Sequence, residues 1–364
     1  TNDIVTGNIT GTDIRNYIMD RIDELTNQNA FLVLLGDETH IPPILNNSPS
    51  YPSDDFYSTP SVPNDNTTIG DPQLVTGRIP VGSVGDATAI VNKIREYILT
   101  PTPGIWRSKI ALVADDMYKQ CSFDESQIEH TEHSQELYDS LTTLVPVLPF
   151  YGVAYNIHNC EYTDLSQNLI QTINNGVALI NYIGHGDFQT WSGEKILTKS
   201  RDLTLIHPQQ NKLAIWVAGT CSFGNYYGEN SFMEELLIKE DGAIAVIATT
   251  DEILPGDNWN YIKHLFGLYS SDGIEDFMKS DKNTRLGELI WNAKTANDYM
   301  FHTFGDPALP LPFPKIAESL VNEYPDSIDW VEEEIISFTG SPQNTSFLIR
   351  NNEKEHISEY GNVP

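Results

Sequence analysis

Val177-Ala-Leu-Ile-Asn-Tyr-Ile183, Leu213-Ala-Ile-Trp-Val217 and Gly242-Ala-Ile-Ala-Val-Ile247 are the three apolar runs on which the fold turns. Each is short and rich in branched or aromatic residues, the pattern of a strand buried on both faces of a parallel sheet. The segments between them are long enough to hold crossover helices. The first run leads into Gly184-His185-Gly186 and the second into Gly219-Thr220-Cys221. Open parallel sheets bind ligands beyond the carboxyl ends of their strands. Neighbouring strands would therefore deliver a histidine and a cysteine, a base and a nucleophile, to one edge.

With 364 residues the chain exceeds one ordinary core, which predicts one large α/β unit or two to three subdomains. Its 51 acidic and 21 basic residues give a net charge of −30. Such a surface repels nucleic acid and anionic membrane, which argues against a nucleic-acid role. It suits a salty or extracellular setting, and plain solubility explains it equally well. No apolar run is long enough to span a bilayer. Three cysteines, Cys121, Cys160 and Cys221, form no disulfide framework, although Cys121 and Cys160 can pair and leave Cys221 free. The chain opens at Thr1 on polar sequence without a signal peptide and reads as a piece of a longer precursor.

Outward from the central runs, apolar spacing predicts a helix over Ile14–Leu25 and a buried strand at Phe31–Leu35. Residues 40–71 are rich in Pro, Ser, Asn and Asp and read as a long loop or insertion outside the core. Order resumes over Asp71–Pro80, followed by a helix at Ala87–Leu99 and a strand at Trp106–Ala114 that runs into Asp115-Asp116. Phe123–Leu144 is expected to be mostly helical, Val153–Ile157 a strand, and Leu165–Ile173 a helix stopped by Gly176. Helices are expected near Trp259–Tyr269 and Thr284–Asn297, and Phe304–Leu309 reads as a loop closing the sheet. Beyond Lys315 the pattern alternates like antiparallel strands. The expected division is an N-terminal α/β subdomain at 1–105, a second α/β subdomain at 106–314, and the start of a β region at 315–364.

A histidine at a strand end is most often structural. His185, with a glycine on each side, sits where backbone must approach something closely, and Gly186 frees an N–H that can face an oxyanion. Cys221 alone would be a small buried hydrophobe. It directly follows a buried strand, however, and precedes the polar stretch Ser222–Gly228. His185 lies 36 residues upstream, about one strand–helix–strand crossover, so base and thiol can meet. Asp115 or Asp116, ending another strand at the same edge, could orient the imidazole. No Cys or His pair has zinc spacing, and His130 and His133 lie on a helix with no third ligand in sight. Carboxylate pairs such as Asp54 and Asp55 could bind structural calcium, although none follows the EF-hand order. The phosphate loops GxxxxGK[ST] and GxGxxG are absent.

Asn181-Tyr-Ile-Gly-His-Gly186 resembles the Asn-Tyr-Thr-Gly-His-Gly of gingipain-type cysteine peptidases, relatives of the caspases. Ala218-Gly-Thr-Cys221 stands where that family has its nucleophile. Gly242–Thr249, Phe304–Leu309, Leu34–Asp37 with Ile41-Pro42, Gly77-Arg78 and Glu125-Ser-x-Ile-x-His130 line up in order, so the resemblance covers residues 10 to 312. Tyr51–Tyr57, Ala114–Asp116, Thr220–Phe223 and Thr249-Thr250 look closer to one branch, the C-terminal-signal peptidase (sortase) of the bacterial type IX secretion system.

The resemblance implies two side-by-side α/β/α sandwich subdomains, the second caspase-like with a mostly parallel sheet, followed by an immunoglobulin-like β region. It implies Cys221 as nucleophile, His185 as general acid–base, the N–H groups of Gly186 and Cys221 as oxyanion hole, and Asp115 or Asp116 as the carboxylate near the histidine. Gln127 and Thr250 fall at substrate-binding positions. Gln127 stands where arginine-specific members carry an acid, which removes the electrostatic reason for an Arg preference. The secretion branch often has an Arg where this chain has Asp251. The implied activity is a cysteine endopeptidase needing no cofactor for its chemistry, with a protein or peptide substrate. It would work extracellularly or at the cell surface, removing C-terminal signals beside outer-membrane secretion-complex subunits. Transfer of the acyl group to a surface glycolipid, or a non-catalytic scaffold role, are the alternatives.

Overall fold

In the computed structural model all three central runs contain strands of one sheet. The structure describes residues 9–26, 30–46, 51–61, 70–116, 128–228, 230–268, 270–294 and 300–316. Its strands are β1 (Phe31–Leu35), β2 (Val75–Ile79), β3 (Ile110–Ala114), β4 (Val147–Tyr151), β5 (Leu179–Ile183), β6 (Thr190–Trp191), β7 (Leu197–Thr198), β8 (Ile215–Gly219), β9 (Ala245–Thr249) and β10 (Phe301–Phe304). Strands β6 and β7 form a small hairpin, and the other eight make one sheet in the order β1-β2-β10-β9-β8-β5-β3-β4. Every neighbouring pair in that sheet is parallel except β9 and β10. The sheet is thus two parallel blocks of opposite direction, joined along the β9–β10 seam. Their carboxyl ends face opposite edges.

The helices are α1 (Gly11–Met19), α2 (Ile22–Thr26), α3 (Val84–Leu99), α4 (Glu129–Leu141), α5 (Thr163–Asn175), α6 (Lys199–Asp202), α7 (Phe232–Ile238), α8 (Pro255–Phe266), α9 (Ile274–Lys279) and α10 (Leu286–Ala293). Their ends are written locally. Ser231 accepts from the Glu234 N–H while the Glu234 carboxylate accepts from the Ser231 N–H, a capping box that starts α7. Gly176, at φ 102°, stops α5 as the sequence predicts.

Strands β3, β5, β8 and β9 are buried at every residue, as their predominantly apolar runs require. They anchor the larger core, which reaches from Ile79 to Phe313. A smaller core gathers Ile18, Leu34, Ile44, Tyr51, Phe56, Tyr57 and Leu74. None of the helices among the described residues is long and apolar enough to cross a membrane.

The structure corrects three expectations and adds one strand that the sequence did not announce. The strand expected at Val153–Ile157 lies at Val147–Tyr151, which carries Pro149. Its place at the sheet edge tolerates a residue with no N–H to give. Phe301–Phe304, just before the motif read as a closing loop, is the antiparallel strand β10. The helix expected over Ile14–Leu25 breaks at Asp20 and Arg21 into α1 and α2. Within the supposed loop at 40–71, Asp54–Tyr57 forms a buried 3₁₀ turn, with Phe56 and Tyr57 fully buried in the smaller core. Most of the expected β region after Lys315 lies outside the described residues.

Candidate active site

Strands β5 and β8 run side by side with Ile183 beside Gly219, and the Gly184 N–H donates to the Gly219 carbonyl at 3.3 Å. His185 and Cys221 each stand two residues beyond that register pair. Both therefore leave the sheet at the same level on adjacent strands. They line one cleft of about 900 Å³, together with Gly186, Ser192, Thr220, Asp251–Pro255 and Asn258. Cys221 is a half-buried free thiol whose S–H points to the Ile253 carbonyl at 3.6 Å. Cys160 is disulfide-bonded, whereas Cys121 lies outside the described residues.

The glycines flanking His185 have identifiable reasons. A Cβ at Gly184 would meet the Tyr182 hydroxyl at 2.4 Å and the Asp115 Cβ at 2.5 Å. One at Gly186 would meet the Thr190 carbonyl and the Thr220 Oγ1, each at 2.7 Å. The histidine backbone is fastened from three sides. Its carbonyl accepts from the Tyr182 hydroxyl at 2.6 Å and from the Ser192 N–H at 2.7 Å, and its N–H donates to Asp115 Oδ2 at 3.4 Å. Tyr182 is in turn stacked on buried Trp191 at 4.4 Å. The His185 ring packs edge-on against His130, centroids 5.4 Å apart at 87°.

Asp115 thus meets His185 through its backbone, and it also accepts from Ser192 Oγ at 2.9 Å. Asp116 accepts from the Tyr162 hydroxyl at 3.3 Å. With Glu194, which Ser192 Oγ approaches at 2.7 Å, these two carboxylates form a fully buried cluster. Burial, reinforced by Asp116 and Glu194, pushes the Asp115 carboxyl well above its usual pKa; burial likewise raises Glu194. Their oxygens lie within 4.8 Å of one another, a spacing able to hold a cation. Neither the Gly186 N–H nor the Cys221 N–H donates to any acceptor among the described residues. Two unspent backbone donors beside a thiol are what a developing oxyanion requires.

Thr250 does not line the cleft. It is buried, and its hydroxyl donates to the Pro52 carbonyl at 2.8 Å, which corrects its expected substrate role. Gln127 lies outside the described residues. Asp54 and Asp55, the carboxylates expected as calcium ligands, are each paired with a cationic side chain. Arg78 grips Asp54 through Nε and a terminal nitrogen, both at 2.7 Å, and Lys294 pairs with Asp55. Tyr226, five residues after Cys221, donates its hydroxyl to the same Asp54 at 2.9 Å and lies under the Arg78 guanidinium. Sequence reasoning missed Ser192 and Glu194. The only signal for them was the run Trp191-Ser-Gly-Glu194 just past the His-Gly motif.

The family model described as Peptidase family C25 matches residues 1–312. Gingipain R2 of Porphyromonas gingivalis (strain ATCC 33277) is 24% identical over 325 residues, covering 83% of this chain and 40% of that protein. Gingipain R1 of Porphyromonas gingivalis is also 24% identical, with 83% and 30% covered. The chain therefore spans at most 40% of the length of these relatives. Among solved structures, the Arg-specific cysteine proteinase gingipain R matches with a TM-score of 0.67 at 18% identity, covering 84% of this chain and 70% of that one. A complex of the pro- and mature domains of Porphyromonas gingivalis RgpB gives 0.64 at 18% identity, with 83% and 70% covered. At that identity the likeness establishes the fold.

Proposed function

The chain belongs to peptidase family C25, and on that premise we propose that it is a cysteine endopeptidase with Cys221 as nucleophile and His185 as general acid–base. The observation that carries this reading is the shared register of the two residues at the ends of β5 and β8, above one cleft. The Cys221 thiolate attacks the scissile carbonyl carbon, and the carbonyl electron pair moves onto oxygen, facing the N–H groups of Gly186 and Cys221. Protonated His185 gives its proton to the leaving amine as the C–N bond breaks, leaving a thioester. A water that loses its proton to His185 then attacks the thioester and restores the thiol. No step needs a metal or an organic cofactor. Asp115, through the His185 N–H, and Tyr182 and Ser192, through its carbonyl, hold the histidine in place.

The substrates we propose are secreted or surface proteins whose C-terminal signals are removed outside the cell, beside secretion-complex subunits. The motifs at Tyr51–Tyr57, Ala114–Asp116 and Thr220–Phe223 support this setting, and the −30 charge is compatible with it. The test is mass analysis of a cargo protein incubated with the full chain and with its Cys221→Ala variant. The wild type should give a new C-terminus ending in a free carboxylate, and the variant should lose activity by ~10³-fold or more. Undiminished cleavage by Cys221→Ala would overturn the reading, and an added mass on the new C-terminus would redirect it to acyl transfer.

A further inference from the structure

Three side chains in the wall of the cleft hold buried polar atoms that nothing among the described residues satisfies. His130, on the first turn of α4, has neither ring nitrogen bonded. Thr220, next to the nucleophile, has an unbonded Oγ1, and Asn258, on α8, an unbonded Oδ1. All three line the cleft and are at least 97% buried. Buried groups of this kind are costly to leave unpaired, and these three, unlike core orphans such as Asn181 and Trp216, line an open cleft.

Their chemistry is uniform. An amide oxygen accepts, a hydroxyl both donates and accepts, and a neutral imidazole offers one donor and one acceptor. His130 is neutral because burial drives its pKa down to about 3. The cleft's charges among the described residues are four: Asp187, Glu252 and Lys195 are exposed at the rim, Asp251 is half-buried, and Lys195 is paired with Glu161 at 2.8 Å. Among the described residues, a cationic substrate side chain would find no fully buried carboxylate in this wall, and an anionic one no buried cation. An apolar side chain would leave every orphan atom unpaired, the situation that polar sites reject most strongly.

We propose that His130, Thr220 and Asn258 form a substrate subsite beside Cys221 that recognises an uncharged polar side chain, an amide or a hydroxyl, with His130 as its specificity-determining residue. The inference rests on the peptidase reading. Occupation of the site completes the hydrogen bonds that the empty cleft leaves open, while the edge-on contact with His185 places the recognised side chain next to the reacting bond.

The experiment profiles a peptide library with the full chain, its Cys221→Ala variant, His130→Phe and His130→Gln. The wild type should cleave preferentially beside Asn, Gln, Ser or Thr. His130→Phe keeps a ring and removes both nitrogens. It should lower the ratio of kcat/KM for polar over matched apolar peptides about tenfold, chiefly through KM, since one or two neutral hydrogen bonds are lost. His130→Gln restores a donor and an acceptor and should recover part of that ratio. Wild-type preference for a charged or a large apolar side chain would overturn the proposal, as would an unchanged ratio in His130→Phe. Cleavage that is abolished by Cys221→Ala but selective for charged residues sinks this inference alone. Cleavage that survives in Cys221→Ala sinks the peptidase reading beneath it.

Discussion

Around Arg78 and around Cys221 the same sheet handles buried polar groups in opposite ways. The Arg78 guanidinium is fully buried and fully engaged, gripping Asp54 twice and donating to the carbonyls of Gly36 at 2.9 Å and Ile41 at 3.2 Å. In the cleft, by contrast, two backbone N–H groups and the polar atoms of His130, Thr220 and Asn258 are left open among the described residues. A saturated cluster has nothing left to offer a ligand, so its work is to hold the molecule together. The unsaturated one costs stability and can recoup it only when something binds. The two are mechanically joined, because Tyr226 reaches Asp54 from the loop that begins at Cys221.

Arg78→Ala breaks this contrast most severely. It leaves the Asp54 carboxylate buried without its cation and should cost about 3–5 kcal/mol in urea unfolding. Burial alone would raise the Asp54 pKa, but Arg78 outweighs it and holds the carboxyl below its usual range. That contribution is present above the unfolded pKa near 3.8 and is lost as pH falls through the folded value. The variant's stability should therefore depend less on acid than the wild type's. Cys221→Ala, in the open cluster, should leave the unfolding free energy nearly unchanged.

Tyr226→Phe sharpens the comparison on a smaller scale. Removing one hydroxyl bonded to a charged carboxylate should cost about 1.5–3 kcal/mol in the same assay. Glu194→Gln has the smallest expected effect, and its sign is opposite. The Glu194 pKa is raised in the folded protein, so the stability it contributes is complete below the unfolded value of 4.5 and declines as pH rises through the folded one. Melting temperatures from pH 4 to 8 should fall less steeply in the variant, and an unchanged slope would show that the cluster carries no shared charge penalty.

The parts legible from sequence are those that depend on neighbours along the chain. Predominantly apolar runs announced β5, β8 and β9, glycines announced the tight passages around His185, and the strand ends announced which residues share an edge. The saturated cluster was invisible because its partners are far apart in sequence: Arg78 and Asp54 are separated by 24 residues, Tyr226 and Asp54 by 172. Asp54 and Asp55 looked like metal ligands because nothing local reveals that cations arrive from elsewhere. Strand β10 is four residues long and includes His302 and Thr303, too short and too polar to declare itself. Pro149 disguised β4 as something other than a strand.

Strand β10 also sets the order in which the molecule can be assembled. Pairing β2 with the rest of the sheet waits for residues 301–304, more than 220 residues after β2 has been made. Until then the amino-terminal pair of strands has an open inner border. Such distant closure is slow and leaves an adhesive margin exposed during synthesis. A chain cut short before residue 300 should therefore be prone to aggregate.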